Sequence, residues 1–77
     1  MPDNSEVLVN ALRYIRSKLP EAVPQAQFAH DNPNTPMGVW IEMVERELIY
    51  DNVFDDRDGY FTTPKGDLMI RNADVAA

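Results

Sequence analysis

Apolar residues recur at every third or fourth position near the start of the chain, which is the spacing of one face of an α-helix. Leu8, Leu12, Ile15 and Leu19 fall at i, i+4, i+7 and i+11. Pro20 follows, and a proline pushes the residue before it out of the helical region. The pattern therefore predicts a first helix from Ser5 to Lys18.

A short second helix is predicted inside the proline-rich stretch 20–34. Pro24 suits the first position of a helix, because its missing N–H has no partner there and its φ is already helical. The helix would run from Pro24 to Ala29, with Phe28 and Ala29 on its buried side.

A third, longer helix is predicted after Asn34. Thr35 has the side chain of a helix cap, and Pro36 suits the first helical residue. Five apolar residues cover about 100° of the helical wheel. They form the expected core stripe, which consists of Met37, Trp40, Ile41, Val44 and Leu48.

The opposite side of this third helix is polar. Glu42, Glu45 and Arg46 point to solvent on the wheel. Val39 and Met43 flank that polar side, so we expect both to be exposed. Methionine beside a charged face suits a soft protein-binding surface.

Beyond Tyr50 the composition changes to that of a β-hairpin. Aromatic and β-branched residues at 53–54 and 60–63 predict two short strands. Between them, Asp58 and Gly59 form a dipeptide that favours a tight hairpin turn.

The segment after the hairpin has two interpretations. Thr63 and Pro64 resemble a helix start, with Asn72 as its stop. A third strand over 68–71 is the alternative. Residues 72–77 are expected to fray, as chain ends commonly do.

Together these elements predict a single α+β domain over residues 1–77, with 5–50 helical and 51–71 forming the hairpin and its closing helix or strand. A chain of 77 residues buries only about 60–65% of its unfolded surface, so its core is thin.

The absence of cysteine excludes disulfides and cysteine metal sites. No run of about 18 apolar residues could span a membrane, and no basic leader is present, so we expect a cytosolic protein.

Negative charge is concentrated in residues 42–58. This segment holds seven carboxylates against Arg46 and Arg57, a balance of −5 in a chain of net charge −6. The carboxylates are Glu42, Glu45, Glu47, Asp51, Asp55, Asp56 and Asp58. Such a surface repels nucleic acid and anionic lipid, and it favours a basic partner.

The residues offer little to catalysis or metal binding. An EF-hand loop aligned on Gly59 needs acidic residues where the chain has Phe54 and Lys65. His30 is the only histidine, and nothing supplies it with a nucleophile or a second metal ligand. We therefore expect no enzymatic activity, no cofactor and no metal.

The order of elements resembles a winged helix-turn-helix domain. The resemblance is best from Pro24 to Ile70. Residues 25–29 (QAQFA) match the opening of the second helix, 34–49 match the recognition helix and its exit, and 58–66 (DGYFTTPKG) match the wing strand and the turn that closes it. The resemblance implies a winged-helix-like fold of three helices, a hairpin and a short closing element.

Several residues depart from a DNA-binding winged helix. A recognition helix needs donors to phosphates and base edges. The outward residues of this helix are instead Gly38, Val39, Glu42, Met43, Glu45 and Arg46, and the wing carries Asp55, Asp56, Arg57 and Asp58. Two like charges about 6 Å apart at an effective dielectric of ~20 repel by roughly 3 kcal/mol. We therefore do not expect this face to bind DNA.

A second resemblance concerns the C-terminal part of the chain. Residues 50–75, with FDD at 54–56, GDLMIR at 66–71 and DV at 74–75, resemble very small acidic phage proteins that inhibit type I CRISPR surveillance complexes. The resemblance implies an anti-CRISPR-like viral inhibitor, active in the host cytoplasm, that presents carboxylates to a channel built for nucleic acid.

Our leading hypothesis is an acidic inhibitor, a monomer or homodimer, that blocks a basic nucleic-acid-binding surface of a host complex. Its predicted contact residues are Val39, Glu42, Met43, Glu45, Asp51, Asp55, Asp56 and Asp58, with Val39 and Met43 as apolar anchors. One alternative is a winged-helix transcription regulator that binds DNA through Arg13, Arg16 and Lys18 or through a face made by a dimer. Another is an adaptor whose acidic patch only keeps it soluble.

Overall fold

The part of the chain that the structure describes contains four helices and two strands, in the order α-α-α-β-β-α. The computed structural model describes residues 4–51 and 59–76. Its elements are α1 Asn4–Ser17, α2 Gln25–Asp31, α3 Met37–Glu45, β1 Ile49–Asp51, β2 Tyr60–Thr62 and α4 Pro64–Ala76. The predicted α+β class, with three helices followed by a hairpin and a closing element, is confirmed.

Prolines stand outside the second and third helices rather than inside them. Pro24 has φ −66° and ψ 149°, and Pro36 has φ −62° and ψ 146°, so each has extended backbone and occupies the N-cap position. The predictions that Pro24 and Pro36 are the first helical residues, and that Thr35 is the cap, are therefore wrong. Proline tolerates the N-cap position because the N–H of the N-cap residue takes no part in the hydrogen bonds of the helix.

The third helix ends earlier than predicted, at Glu45. Glu47 has a left-handed φ of 58°, and the N–H of Leu48 donates to the carbonyl of Met43 at 2.8 Å. The N–H of Glu47 donates to the carbonyl of Val44 at 3.1 Å. These two bonds form a Schellman motif, which turns the chain out of the helix. Leu48 therefore lies beyond α3, and the first strand begins at Ile49.

The two strands are antiparallel, and one residue of a third segment, Val23, pairs with β2. Ile49 faces Thr62, and Tyr50 faces Phe61. On the other side of β2, Val23 exchanges two backbone hydrogen bonds with Tyr60, at 3.0 and 2.8 Å. The predicted strand at 53–54 lies outside the described residues.

The segment after the hairpin is a helix, so the alternative of a third strand over 68–71 is wrong. The hydroxyl of Thr63 accepts the N–H of Gly66 at 3.1 Å, as an N-cap does, and Pro64 is the first helical residue. The helix continues past Asn72, and the tail that we expected to fray is helical as far as Ala76. Its last turns are held by an ion pair between Asp74 and Arg13 of α1.

The core lies between α1, α3 and α4, with the sheet closing one end. Its buried apolar residues include Leu8, Leu12, Ile15, Val23, Phe28, Leu48, Ile49 and Ile70. Aromatic rings cross it in sequence, from Tyr14 to Phe28 to Trp40 to Tyr60, with centroids 4.9 to 5.6 Å apart. Such edge-to-face and tilted contacts stabilise a small core beyond the area that they bury. Ala29, which we expected to be buried, is exposed.

Candidate protein-binding surface

The buried side of α3 is not the side that its sequence pattern predicted. Val39 and Met43 are 6% and 0% exposed, so the expectation that they face solvent is wrong. Trp40 is buried as predicted. Because six of the nine residues of α3 are apolar, two arcs of the helix compete for the core. The arc of Val39, Trp40 and Met43 is buried, which excludes Val39 and Met43 as surface anchors.

The other apolar arc of α3 faces solvent. Met37, Ile41 and Val44 are 54%, 50% and 40% exposed. They fall at i, i+4 and i+7, which places them in one line along the helix. We call this line the α3 stripe. Its residues were predicted to be core, and the only sequence signal for their exposure is the width of the apolar arc.

A small cavity lies at the N-terminal end of the α3 stripe. Its volume is about 40 Å³, and its lining consists of Gln25, Phe28, Ala29, Thr35, Pro36, Met37 and Trp40. The side-chain amide of Gln25 lies 3.0 Å from the sulfur of Met37. The cavity extends the apolar surface from α3 to α2 and can accept the tip of one side chain.

Carboxylates lie beside this apolar surface and along the segment that follows it. Glu45, Glu47 and Asp51 are exposed, and no ion pair to any of them occurs among residues 4–51 and 59–76. We call these three residues the acidic edge. Glu42 is half-buried and pairs with Arg46 at 3.5 Å, so its charge is partly compensated.

Part of the predicted contact set is therefore placed by the structure. Glu45 and Asp51 are exposed as expected, and Glu42 is half-buried. Asp55, Asp56 and Asp58 lie outside the described residues.

The two arginines of α1, and Lys18 just beyond its end, each have a charged or aromatic neighbour within the molecule. Arg13 forms an ion pair with Asp74, and the Nε of Arg16 lies 3.8 Å from the carboxylate of Asp67. The ammonium group of Lys18 lies 5.4 Å from the centre of the Tyr14 ring. Each of the three cations that were considered for DNA binding thus lies close to a side chain of this same chain.

A groove lies where β1 meets the start of α4. It has a volume of about 500 Å³ and is lined by Glu47, Ile49, Tyr50, Thr63, Pro64 and Lys65. A second depression of about 330 Å³ shares Pro64 and adds Asp67, Leu68 and Arg71. Tyr50 and Leu68 are exposed along this face. Neither residue stands out in the sequence, because each lies within an otherwise ordinary apolar pattern.

One titratable pair joins α1 to α2 away from these surfaces. The hydroxyl of Tyr14 donates to the carboxylate of Asp31, and the Nδ1 of His30 lies 3.2 Å from the other carboxylate oxygen. Burial, and then the bond to Asp31, raise the pKa of Tyr14 above its usual value. The bonds from Tyr14 and His30 lower the pKa of Asp31.

Among the residues that the structure describes, no three histidine, aspartate or glutamate side chains converge as metal ligands would. Likewise, no described helix has the length and apolar character needed to cross a bilayer.

Comparison of the chain with protein-family models, with curated proteins and with solved structures found no match. Its function must therefore be argued from the surface itself.

Proposed function

We propose that this chain is an acidic inhibitor that binds a basic, nucleic-acid-binding surface of another protein. The observation that carries the proposal is the acidic edge of Glu45, Glu47 and Asp51, which has no cation paired to it in the described part of the chain and follows directly on the α3 stripe. Arg13 and Arg16 of α1 and the following Lys18, by contrast, already have internal neighbours.

The two parts of this surface contribute differently to binding. Fully burying a methionine, isoleucine or valine side chain contributes roughly 1.5–3 kcal/mol, so the half-exposed residues of the α3 stripe could each add about 1 kcal/mol. Carboxylates opposite lysine or arginine mainly speed association and determine which partner is accepted. A partner surface built for phosphates supplies those cations.

Binding of DNA by the chain itself has less support. Arg13, Arg16 and Lys18 were one basis of that alternative, the other being a face made by a dimer. The two arginines lie beside carboxylates of α4, at Asp74 and Asp67. A chain of net charge −6 also repels a polyanion at long range. Because of the resemblance of residues 50–75 to phage inhibitors, a type I CRISPR surveillance complex in the host cytoplasm is the first partner to assay.

Two charge-reversed variants test this proposal. Glu45→Lys/Asp51→Lys changes the acidic edge, and Glu6→Lys/Glu21→Lys changes two exposed carboxylates elsewhere by the same total charge. We expect the wild-type chain to displace target DNA from the surveillance complex in a gel-shift competition. The edge variant should lose about tenfold or more in potency, equivalent to about 1.4 kcal/mol, whereas the control variant should stay within about threefold.

Two results of the same assay would contradict the proposed function. Equal loss in the two variants would show that only net charge matters. Tight, sequence-selective binding of the wild-type chain to duplex DNA at ~0.15 M salt, without any competition, would favour the regulator instead.

A further inference from the structure

The α3 stripe lies between two depressions in the surface of the molecule. On one side is the cavity of about 40 Å³ between α2 and α3, whose inner wall includes the buried rings of Phe28 and Trp40. On the other side is Gly38, which is exposed and carries no side chain. Because an α-helix turns about 100° per residue, Gly38 and Trp40 lie on opposite sides of Met37. Met37 and Ile41, each about half exposed, therefore form an apolar ridge with space along both sides.

Gly38 has no internal reason to be a glycine among the described residues. A Cβ at this position would meet no heavy atom within 4 Å, and its φ is not in the left-handed region. Glycine inside a helix destabilises it relative to alanine. A glycine does, however, allow the backbone of another molecule to approach closely.

The size of the cavity determines which side chain it can accept. A cavity that takes up benzene has a volume of about 150 Å³, whereas this one has about 40 Å³. It can therefore hold the end of a leucine or methionine side chain and not an aromatic ring. An aliphatic group that displaces poorly ordered water from an apolar site of this kind gains affinity.

The form of the surface favours a helix as the occupant. The backbone groups along the middle of α3 bond within the helix, so the α3 stripe offers side-chain packing and no hydrogen bonds to an extended segment. A helix satisfies its own backbone and lays an apolar face of i, i+3, i+4 and i+7 residues on such a surface. Met37 and Val44 are about 10 Å apart along α3, the length of two turns of a partner helix.

Area and charge favour a different protein over a second copy of this chain. Three side chains that are each about half exposed supply only a small part of the about 800 Å² per partner that a standard interface buries. The carboxylate that lies next to the ridge is Glu45, which is exposed and has no ion pair among the described residues. Arg46 lies farther round the helix and pairs with Glu42. A lysine or arginine beside the apolar face of a partner helix would therefore complement Glu45.

We propose that the α3 stripe is a docking site for one amphipathic helix of the partner, which inserts an aliphatic side chain against Phe28 and Trp40 and crosses α3 beside Gly38. The inference rests on the proposed function, which makes this surface the one that faces the partner. It adds the kind of element that binds there and the class of side chain that anchors it.

A synthetic helix tests the site directly. The probe is a peptide of about 18 residues, long enough to be helical, in which leucines recur at i, i+3, i+4 and i+7 among alanine and glutamine, with lysines beside them. Its control contains the same residues in an order that spreads the leucines around the helix. With the isotope-labelled full chain, we expect the patterned peptide to shift the amide signals of Gly38 and Ile41. It should bind about tenfold more tightly than its control.

Two identical substitutions on α2 test the cavity. Ala29 lines the cavity and Ala26 does not, and both are exposed. Ala29→Leu should fill the cavity and weaken binding of the patterned peptide about tenfold, whereas Ala26→Leu should change it by less than about twofold. Neither substitution replaces a buried residue, so both variants should remain folded by circular dichroism.

A substitution of Gly38 separates docking from folding. Glutamine is a better helix former than glycine and has open space at this position, so Gly38→Gln should unfold at the same urea concentration or a higher one. Its long side chain should keep a partner helix away from α3 and weaken peptide binding about tenfold. Asn10→Gln, at an exposed position of α1, is the control and should leave stability and binding nearly unchanged.

The outcomes distinguish this inference from the proposed function. Absence of binding by the patterned peptide at about 1 mM, equal binding of the two peptides, or equal effects of Ala29→Leu and Ala26→Leu would overturn the helix site. If the chain displaces DNA from the surveillance complex and Gly38→Gln does so equally well, the proposed function stands and the helix site is wrong. If the patterned peptide binds as expected but the chain displaces no DNA, the helix site stands and the proposed function is wrong.

Discussion

At the scale of single residues, the hydrogen bond between Tyr14 and Asp31 links α1 to α2. The phenol donates to the carboxylate, and the His30 ring and the Lys18 ammonium group lie near it. Neither Tyr14 nor Asp31 is deeply buried, so the contact orients α2 more than it stabilises the core.

This contact predicts two opposite pH dependences. The pKa of Asp31 is lowered in the folded chain, so its contribution is present above about pH 4 and is lost as the pH falls through the folded pKa. The pKa of Tyr14 is raised, so its contribution is present below about pH 10 and is lost as the pH rises through the folded pKa.

Ultraviolet titration of tyrosine ionisation in Asp31→Asn checks the assignment. The pKa of Tyr14 should fall toward the usual value without reaching it, because burial, the largest cause of the shift, remains. Tyr14→Phe provides the reference that identifies its signal among the three tyrosines. An unchanged Tyr14 pKa in Asp31→Asn would mean that the hydrogen bond does not persist in solution.

At the scale of elements, α3 decides which apolar residues are available to a partner. Its core arc is Val39, Trp40 and Met43, and its exposed arc is the α3 stripe. The aromatic contacts explain this choice, because Trp40 packs between Phe28 of α2 and Tyr60 of β2. That position leaves Met43 in the core, and it leaves Ile41 in solvent.

Two methionines of α3 test this orientation. Met43→Ala should lower the free energy of unfolding by about 2–5 kcal/mol, because it leaves a cavity in the core. Met37→Ala, the same chemical change on the exposed arc, should cost only about 0.5 kcal/mol. Urea unfolding followed by Trp40 fluorescence measures both, and a larger loss in Met37→Ala would mean that the predicted core stripe was right after all.

At the scale of the whole molecule, α4 closes the domain by packing along α1 and against the turn after α3. Gly66 makes this closure possible. A Cβ at that position would lie 2.3 Å from the carbonyl oxygen of Leu48, and that oxygen is held by the N–H of Thr63. The backbone therefore approaches α4 more closely than any side chain would allow.

A pair of glycine substitutions tests this closure. Gly66→Ala should destabilise the domain by about 1–3 kcal/mol, because the contact is with backbone that cannot easily move. Gly38→Ala meets nothing within 4 Å and should stabilise the domain by up to about 1 kcal/mol, since it replaces glycine in a helix. If thermal and urea unfolding showed the same change for both, the close approach of α4 would be wrong.

The pairing of charged residues also depends on the whole molecule. The ion pairs from α1 to α4, Arg13 with Asp74 and Arg16 with Asp67, join residues that are more than fifty positions apart in the chain. They compensate the basic end of α1, and the acidic edge has no such compensation among the described residues. Locating the negative segment was possible from the sequence, but recognising that the basic segment is engaged required the tertiary contacts.

The elements that the sequence determined by itself are those with a local cause. The stripe of Leu8, Leu12, Ile15 and Leu19 predicted α1 to within one residue at each end. Only its last member is misplaced, because Leu19 lies beyond the helix and is exposed. Thr63 and Pro64 indicated the start of α4, because capping involves only neighbouring residues. The exposure of Glu45 and Asp51 followed from their charge, since an unpaired carboxylate is rarely buried.

Only the tertiary structure decided which side of α3 is buried, where that helix ends, and which segment pairs with the second side of β2. A helix with six apolar residues in nine can bury either arc, and the choice is made by the rings that pack on Trp40 from distant parts of the chain. The bridge from Val23 to Tyr60 likewise joins residues far apart in sequence. Local spacing determines periodicity, whereas the burial of one face over another depends on the free energy of the whole core.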